Sequence, residues 1–404
     1  MSGHPPVFRA PQLHVGDGET NRRVTWMELF FDLVYVATLV QLGNYLSDNT
    51  SLQGFLAFAF LFIPVWWSWI GTTFYANRFD SDDTLHRVLV FAQIAAVYNM
   101  AVNLEGGLGE NTARFALAYA FGRFILVLMY FRAANSIPQA RALATRYGLG
   151  FLIAGIIWAT SAFVPAPARY IVWVIALAVD FGTPLVNIRL QLMLPPSAGH
   201  LPERFGLFTI IVLGEGFLKV VGGMSGVVLT IPEILLDVPG LVIAGALWWI
   251  YFDNVAETRF RINRFRAQVW LYTHLPLHLS LTALGVGIYK LVTQEDAEGL
   301  PENYRWLICG SVALAFLTIG IIEWTISREW NRQVQSELVL RVIGAAVALL
   351  LAIFGGLLAP TVVMWLLGLN GVLQVAVDLL WRYQRQQAGE HVEPAKTLVA
   401  SGQD

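Results

Sequence analysis

Two carboxylates lie one helical turn apart in an otherwise apolar stretch. The stretch is RRVTWMELFFDLVYVATLVQLG, residues 22–43, and the carboxylates are Glu28 and Asp32. Like charges four residues apart repel each other on a helix, and an ionised side chain is costly in hydrocarbon. Asp32 must therefore be neutral, paired with a cation from another span, or reached by water. We predict that both residues line a polar vestibule facing the cytoplasm, where a cation or proton reaches Asp32.

Glu28 differs from Asp32 because it falls in the first turn of the expected helix. A carboxylate at that position is favourable at the helix N-terminus. We expect Glu28 to act as a cap or to pair with Arg22 or Arg23. Its structural role would then accompany its place in the vestibule.

A second charged pair, Glu215 and Lys219, lies one turn apart in another apolar run. Glu on the N-terminal side of Lys is the favourable order for an intrahelical pair. With a rise of about 1.5 Å per residue, Glu215 falls near the bilayer centre. The pair either locks helix packing or forms a deeper proton or cation site.

Two histidines, His274 and His278 in THLPLHL, share one helical face and could chelate a metal. No nearby Cys or closely spaced carboxylate completes a ligand set, and Pro276 lies between them. A proton relay, or hydrogen bonding across helices, is the preferred interpretation. We therefore predict no metal and no cofactor.

Four further charges stand alone in apolar surroundings, where none should face lipid. Pairing of Arg123 with Asp180, or with another of these carboxylates, would neutralise both charges and clamp the helices together. For one of the carboxylates, Asp378, a local partner follows one turn later in Arg382. The four are Arg123, Asp180, Glu323 and Asp378.

Composition indicates that these residues lie in an all-α, polytopic membrane protein. The 404 residues are 56% hydrophobic and only 13% charged, whereas soluble domains carry roughly 25% charged residues. The single Cys309 excludes an intrachain disulfide. Residues 1–24 have no apolar run, so we expect no cleavable signal peptide. About twelve spans fit, near 25–46, 53–77, 85–103, 113–132, 148–164, 168–187, 203–222, 231–253, 268–292, 304–326, 337–358 and 360–383.

Positive charge alternates between successive polar segments. Of the 26 Lys and Arg residues, 20 lie in the odd-numbered segments. The positive-inside rule therefore places both termini in the cytoplasm. The alternative, that the weak span 148–164 is only half inserted, would break the alternation downstream.

The spans also suggest a 6+6 internal repeat whose halves share one orientation. Chance similarity of two apolar, Trp-rich halves is the alternative. Three landmarks recur at an offset of 181 residues, namely Arg23 with Arg204, Trp67 with Trp248, and Arg78–Phe79 with Arg259–Phe260. The resulting division is an N-terminal polar cytoplasmic segment 1–24, a first half 25–187, a linker 188–202, a second half 203–383 and a disordered cytoplasmic tail 384–404.

Three segments of the sequence resemble those of the bacterial low-temperature-requirement A (LtrA) family. They are RRVTWMELFFDLVYVATLVQLG, RFDSDDTLHRVLVFAQ at 78–93 and HLPERFGLFTIIVLGEG at 200–216. Members often carry a small polar residue where Gly216 stands here. The resemblance implies an integral protein of the bacterial cytoplasmic membrane that is associated with growth in the cold. It does not imply a mechanism.

Function is predicted from the buried charges, since the usual soluble-enzyme motifs are missing. The sequence has no GxxxxGK[ST], HExxH or GxSxG, so we expect no enzyme. A membrane-embedded lipid enzyme is the more distant alternative, since no clustered acid, base and nucleophile appear on an interfacial loop. The acidic patch Asp80, Asp82 and Asp83 should form a solvated loop with Arg78 and Arg87. We predict a proton- or cation-linked transporter or channel. The alternative is a membrane scaffold or sensor of low temperature or stress. Expected partners are the lipid bilayer, H⁺ or another cation and a second copy of the chain, with no nucleic acid.

Overall fold

Twelve helices in the described part of the chain are long and apolar enough to cross a membrane. The computed structural model describes residues 8–14, 24–81, 83–195, 199–223, 231–256, 264–293, 299–327 and 331–387. Each of the twelve predicted spans coincides with one of these helices. The prediction of a polytopic α-helical membrane fold is therefore confirmed.

The first compact unit, residues 1–215, holds the first six spans and most of the seventh. A strand pair and a short helix that does not span accompany them. The elements are β1 (Gln12–Leu13), α1 (Trp26–Asp48), α2 (Leu52–Arg78), β2 (Phe79–Asp80), α3 (Thr84–Val102), α4 (Thr112–Ser136), α5 (Arg141–Ser161), α6 (Ala168–Val186), α7 (Ile188–Met193) and α8 (His200–Gly223).

The second compact unit, residues 216–404, begins inside α8 and holds the remaining five spans. A π-helical turn at Phe252–Ala256 extends the first of these helices. The elements are α9 (Ile231–Tyr251), α10 (Arg264–Val292), α11 (Glu302–Ile326), α12 (Arg332–Phe354) and α13 (Pro360–Gln387). The predicted repeat of six plus six spans remains a prediction.

Side chains cap several helix starts, as the first unsatisfied N–H groups of a helix require. Thr25 and Glu28 form a capping box at α1. Ser51 caps α2 by accepting a hydrogen bond from Gly54 N, and Asp83 caps α3 by accepting one from His86 N. Local chemistry therefore sets where these three spans begin.

Aromatic rings fix the N-terminal part of α8 within the first unit. The indole of Trp69 on α2 lies 4.2 Å from the Phe208 ring centroid and 5.0 Å from that of Phe205. Tyr35 on α1 makes an edge contact with Phe208. All four side chains are buried. This packing holds the residues just before Phe205 against α1 and α2.

Candidate functional site

A cavity of about 400 Å³ lies in the first unit, between the N-terminal ends of α1 and α3 and the C-terminal end of α2. One carboxylate, two guanidinium groups and a histidine contribute to its wall, together with hydroxyl and apolar groups. The lining residues are Thr25, Trp26, Met27, Glu28, Phe31, Thr72, Ala76, Phe79, Ser81, His86, Arg87, Val90, Met129 and Arg204.

Glu28 both caps α1 and lines this cavity. Its Oε2 accepts hydrogen bonds from Thr25 N at 2.8 Å and from Thr25 Oγ1 at 3.0 Å, and its own N–H donates to Thr25 Oγ1 at 3.3 Å. The expected capping role is confirmed. The suggested partners Arg22 and Arg23 lie outside the described residues.

Asp32 is fully buried behind the cavity wall. Its two oxygens form an ion pair with Arg204, through Arg204 Nη2 to Oδ1 and Arg204 Nε to Oδ2 at 3.2 Å. The indole N–H of Trp69 donates to Oδ1 at 2.7 Å. The prediction that Asp32 itself lines a vestibule is wrong, because the guanidinium of Arg204 lies on the cavity wall and covers it.

Arg204 joins both carboxylates of the opening motif. Besides its bonds to Asp32, its Nη1 lies 3.7 Å from Glu28 Oε1. The guanidinium is almost completely buried. One cation on α8 therefore offsets the repulsion expected between Glu28 and Asp32 on α1.

His200 connects Glu28 to α2. Its Nε2 lies 3.4 Å from Glu28 Oε2, and its Nδ1 lies 3.2 Å from Asn77 Nδ2. An amide nitrogen only donates, so with this amide orientation Nδ1 is the acceptor and Nε2 carries the proton toward Glu28. A buried imidazole thus presents an N–H to a carboxylate that lines the cavity.

Neither His200 nor Arg204 is among the residues that the sequence predicts for the site. His200 belongs to a segment that resembles the family, and Arg204 is a landmark of the predicted repeat. The two residues are four apart in HLPERFG, so they share one face of α8. That spacing is a signal that could have identified them. Which helix they face is decided only by the folded chain.

Arg123 and Asp180 form the predicted clamp between α4 and α6. Arg123 Nε lies 3.3 Å from Asp180 Oδ1. Tyr119 donates its hydroxyl to Asp180 Oδ2 at 2.7 Å and accepts from Arg123 Nε at 3.0 Å. The predicted pair is confirmed, and its two charges balance each other.

Glu323 and Asp378 both pair with Arg341, not with Arg123 or Arg382. Arg341 Nη2 lies 2.9 Å from Glu323 Oε1 and also contacts Asp378 Oδ2. Arg382 instead pairs with Asp253 at 2.8 Å. The local partner expected for Asp378 is therefore wrong, because Arg341 on α12 lies closer to its carboxylate.

His274 uses both ring nitrogens within the second unit. Its Nδ1 is 2.7 Å from the carbonyl oxygen of Trp270, and its Nε2 is 3.0 Å from the hydroxyl of Tyr251. The ring of His278 lies 5.7 Å away between centroids. Among the described residues, no group of three or more His, Cys, Asp or Glu side chains is placed to hold a metal ion.

Glu215 is the last residue of the first compact unit, and Lys219 belongs to the second. The Glu215 side chain is buried. Lys219 Nζ lies 5.3 Å from the ring centroid of Tyr289 on α10. The proposed ion site at Glu215 remains a prediction.

Asp83 departs from the expectation of a solvated acidic loop. Its buried carboxylate accepts hydrogen bonds from Arg9 N at 3.0 Å and from Arg132 Nη2 at 2.6 Å, so Arg132 takes the place expected for Arg78 and Arg87. Burial by itself raises the pKa of Asp83, but these bonds and the one from His86 N outweigh it and hold the pKa below its ordinary value.

Comparison with known proteins gives two matches. The family described as bacterial low temperature requirement A protein (LtrA) matches residues 23–374. The uncharacterized protein RA0937 of Rhizobium meliloti (strain 1021) is 30% identical over 285 residues, which cover 66% of this chain and 68% of that protein. The family match includes α1 and α8, the helices that carry Glu28, Asp32, His200 and Arg204.

Proposed function

The chain belongs to the bacterial low temperature requirement A family, and from this premise we propose that it is a proton- or cation-linked transporter or channel. It is an integral membrane protein with twelve helices of spanning length in its described part. We place it in the bacterial cytoplasmic membrane with both termini in the cytoplasm. In that orientation the cavity beside Glu28 faces the cytoplasm.

One observation carries the proposal: Glu28 lines a cavity of about 400 Å³ and also lies within 3.4 Å of the ring of His200. A carboxylate at a cavity wall can exchange a proton or cation with water. The neighbouring imidazole directs its Nε2 hydrogen at this carboxylate and holds it in place on the wall. Glu28 can therefore receive a proton or cation that arrives from the cytoplasm.

The roles within the cluster follow from burial. Asp32 is sealed against Arg204 and Trp69, so it is a positioning residue for the guanidinium. Arg204 in turn lies on the cavity wall and holds the Glu28 carboxylate in place. We propose that Glu28 exchanges the proton or cation, that His200 positions the Glu28 carboxylate and that Glu215 is a deeper station.

A membrane scaffold or sensor of cold or stress is the second candidate. The specific observation that favours it is the Arg123–Asp180 pair, whose charges balance and which joins α4 to α6. Such a pair holds helices together without any need for an exchangeable ion. A homo-oligomer embedded in lipid would be compatible with this role.

The test is ion flux through the purified full-length protein in liposomes. A potassium gradient with valinomycin sets the membrane potential, and an enclosed pH dye reports proton movement. Wild-type protein should acidify or alkalinise the lumen faster than empty liposomes do. The Glu28→Gln variant should reduce the flux to the level of empty liposomes, because it keeps the side-chain size but removes the titratable group.

Glu203→Gln is the matched control. Glu203 is exposed and precedes Arg204 directly on α8, so its replacement should leave the flux unchanged. Flux of sodium and potassium, followed with ion-selective dyes, separates a cation pathway from a proton pathway. If wild-type protein moves neither protons nor cations, the transport proposal fails and the scaffold or sensor candidate stands.

A further inference from the structure

A second cluster of buried charges lies in the second unit, where two carboxylates surround one guanidinium. Glu323 on α11 and Asp378 on α13 contact the same atom, Nη2 of Arg341 on α12. The amide nitrogen of Asn254 also reaches both, at 2.8 Å from Glu323 Oε1 and 3.3 Å from Asp378 Oδ2. Both carboxylates therefore converge on the same two donors.

Close helix packing holds this arrangement. A Cβ on Gly320 of α11 would lie only 3.0 Å from Cβ of Arg341. Glycine at this position therefore lets α12 pack closely against α11 at Arg341. Arg341 directs its remaining Nη1 to the neutral amide oxygen of Gln374 at 2.8 Å. The guanidinium thus provides one positive charge for two carboxylates.

One carboxylate oxygen of the cluster lacks a partner. Asp378 Oδ1 is inaccessible to solvent and has no hydrogen-bond partner among the residues that the structure describes. The Asp378 side chain as a whole is nine-tenths buried. A buried carboxylate oxygen without a donor is costly, and a proton on this carboxyl group would remove its charge and supply a hydrogen-bond donor.

Within the described part of the chain, the neighbouring charged groups contact other partners. Arg382 is balanced by Asp253 at 2.8 Å and donates to Asn254 Oδ1 at 2.6 Å. Glu337 on α12 is a further acid, bonded to the amide of Gln333. Arg266 lies over the ring of Trp324 and donates to the carbonyl oxygen of Ser327. Among these described groups, the carboxylates around Arg341 keep an excess of one negative charge.

We propose that Glu323 and Asp378 share one exchangeable proton, so that the cluster is a buried proton-binding site. Two carboxylates that share a low-dielectric site do not both ionise readily. With one proton, the remaining negative charge is matched by Arg341 and the cluster is neutral. The proton would reside on either carboxyl group of the pair.

The donor set favours a proton over a metal cation. Hard cations such as Na⁺ or Ca²⁺ need several oxygen ligands. Here the carboxylates face N–H groups of Arg341 and Asn254, and the amide oxygen of Asn254 is occupied by Arg382. This inference goes beyond the proposed function, because it concerns equilibrium binding and holds whether or not the protein transports anything.

Infrared difference spectroscopy of the full-length protein in liposomes tests the proposal. A pH step should reveal the C=O stretching band of a buried carboxylic acid. In D₂O this band should shift only slowly, because burial slows the exchange of the carboxyl proton for deuterium. Glu323→Gln and Asp378→Asn should each abolish this band. Either change leaves one carboxylate opposite one guanidinium, so the remaining pair is neutral without a proton.

Glu302→Gln is the matched control, because Glu302 is an exposed carboxylate on the same helix as Glu323. It should leave the band unchanged. A wild-type protein that shows no such band overturns the proposal, and this measurement needs no variant to fold. Persistence of the band in both variants also overturns it. A band that disappears from the wild type on addition of Na⁺ at constant pH would assign the site to a metal cation instead.

Discussion

At the scale of residues, Arg204 determines how the carboxylates of α1 are divided between two roles. Both carboxylate oxygens of Asp32 contact the Arg204 guanidinium, and Asp32 is fully buried. Glu28 Oε1 lies 3.7 Å from Arg204 Nη1, and Glu28 remains on the cavity wall. His200, one turn earlier on α8, contacts Glu28 from the other side. The opening motif therefore contains one sealed carboxylate and one that lies on the cavity wall.

Asp32→Asn should destabilise the protein, since it leaves the buried guanidinium of Arg204 without its main counter-charge. Removal of one partner from a buried ion pair costs about 3–5 kcal/mol. We expect a lower midpoint of thermal unfolding in detergent. Asp48→Asn, at the exposed end of the same helix, is the control. Arg204→Met combined with Asp32→Asn should recover part of the loss, and a single variant as stable as wild type would contradict the buried pair.

At the scale of elements, Asp83 connects three segments of the first unit. It caps α3, accepts a hydrogen bond from Arg9 in the N-terminal segment and binds Arg132 on α4. Arg132 also donates to the carbonyl oxygen of Arg9 at 2.6 Å. These hydrogen bonds connect Arg9 to the start of α3 and to α4.

Asp83→Ala should loosen the first turn of α3. Loss of an N-cap costs about 1 kcal/mol, so amide hydrogen exchange at residues 84–87 should accelerate at neutral pH. Because the pKa of Asp83 lies below its ordinary value, its stabilisation is complete above about pH 4 and is lost as the pH falls through the folded-state pKa. Asn111→Ala is the control, since Asn111 precedes α4 without a side-chain cap bond. Equal exchange in wild type and Asp83→Ala would exclude the capping role.

The close approach of α8 and α10 within the second unit depends on two glycines. A Cβ on Gly285 would lie 2.6 Å from Cα of Gly216, and one on Gly216 would lie 3.2 Å from Cα of Gly285. Both contacts are with backbone, which cannot move aside as a side chain can. This is a physical reason for glycine at position 216.

Gly285→Ala should therefore lower the midpoint of thermal unfolding. Gly245→Ala on α9 is the matched control, because a Cβ there meets no atom within 4 Å. In a helix that has room for the methyl group, such a replacement stabilises by about 0.4–1 kcal/mol. We expect the two variants to shift the midpoint in opposite directions. A stabilising Gly285→Ala change would contradict the backbone contact.

At the scale of the whole molecule, twelve spans and the alternation of positive charge define a topology. The spans are present in the described part of the chain, whereas the orientation rests on the distribution of Lys and Arg in the sequence. The same-orientation repeat of six spans remains a prediction, which is based on the landmarks that recur at an offset of 181 residues. It predicts that the two halves superimpose by rotation about the membrane normal.

Reporter fusions can test this topology in cells. A reporter fused after residue 48, between α1 and α2, should score as external, and one fused after residue 262, in the basic segment 257–266, should score as cytoplasmic. A third fusion at the C-terminus should also score as cytoplasmic. Equal scores at residues 48 and 262 would refute the twelve-span orientation.

The sequence by itself determined the class of fold, the number of spans and most of their limits. These properties depend on runs of about twenty apolar residues and on local caps such as Thr25 with Glu28, which involve neighbours along the chain. The Arg123–Asp180 pair was also predictable, because a lone cation and a lone carboxylate in apolar spans must each find a partner.

Only the tertiary structure decided which charges meet and which of them reach a cavity. The partners Asp32 and Arg204 are 172 residues apart, and nothing in either local sequence specifies that α8 packs against α1. The same holds for Arg341, which binds both Glu323 and Asp378, although Arg382 is nearer to Asp378 in the sequence. Ion pairs act over a few ångströms in space, and that distance is set by helix packing, in which distant side chains such as Trp69 and Phe208 take part.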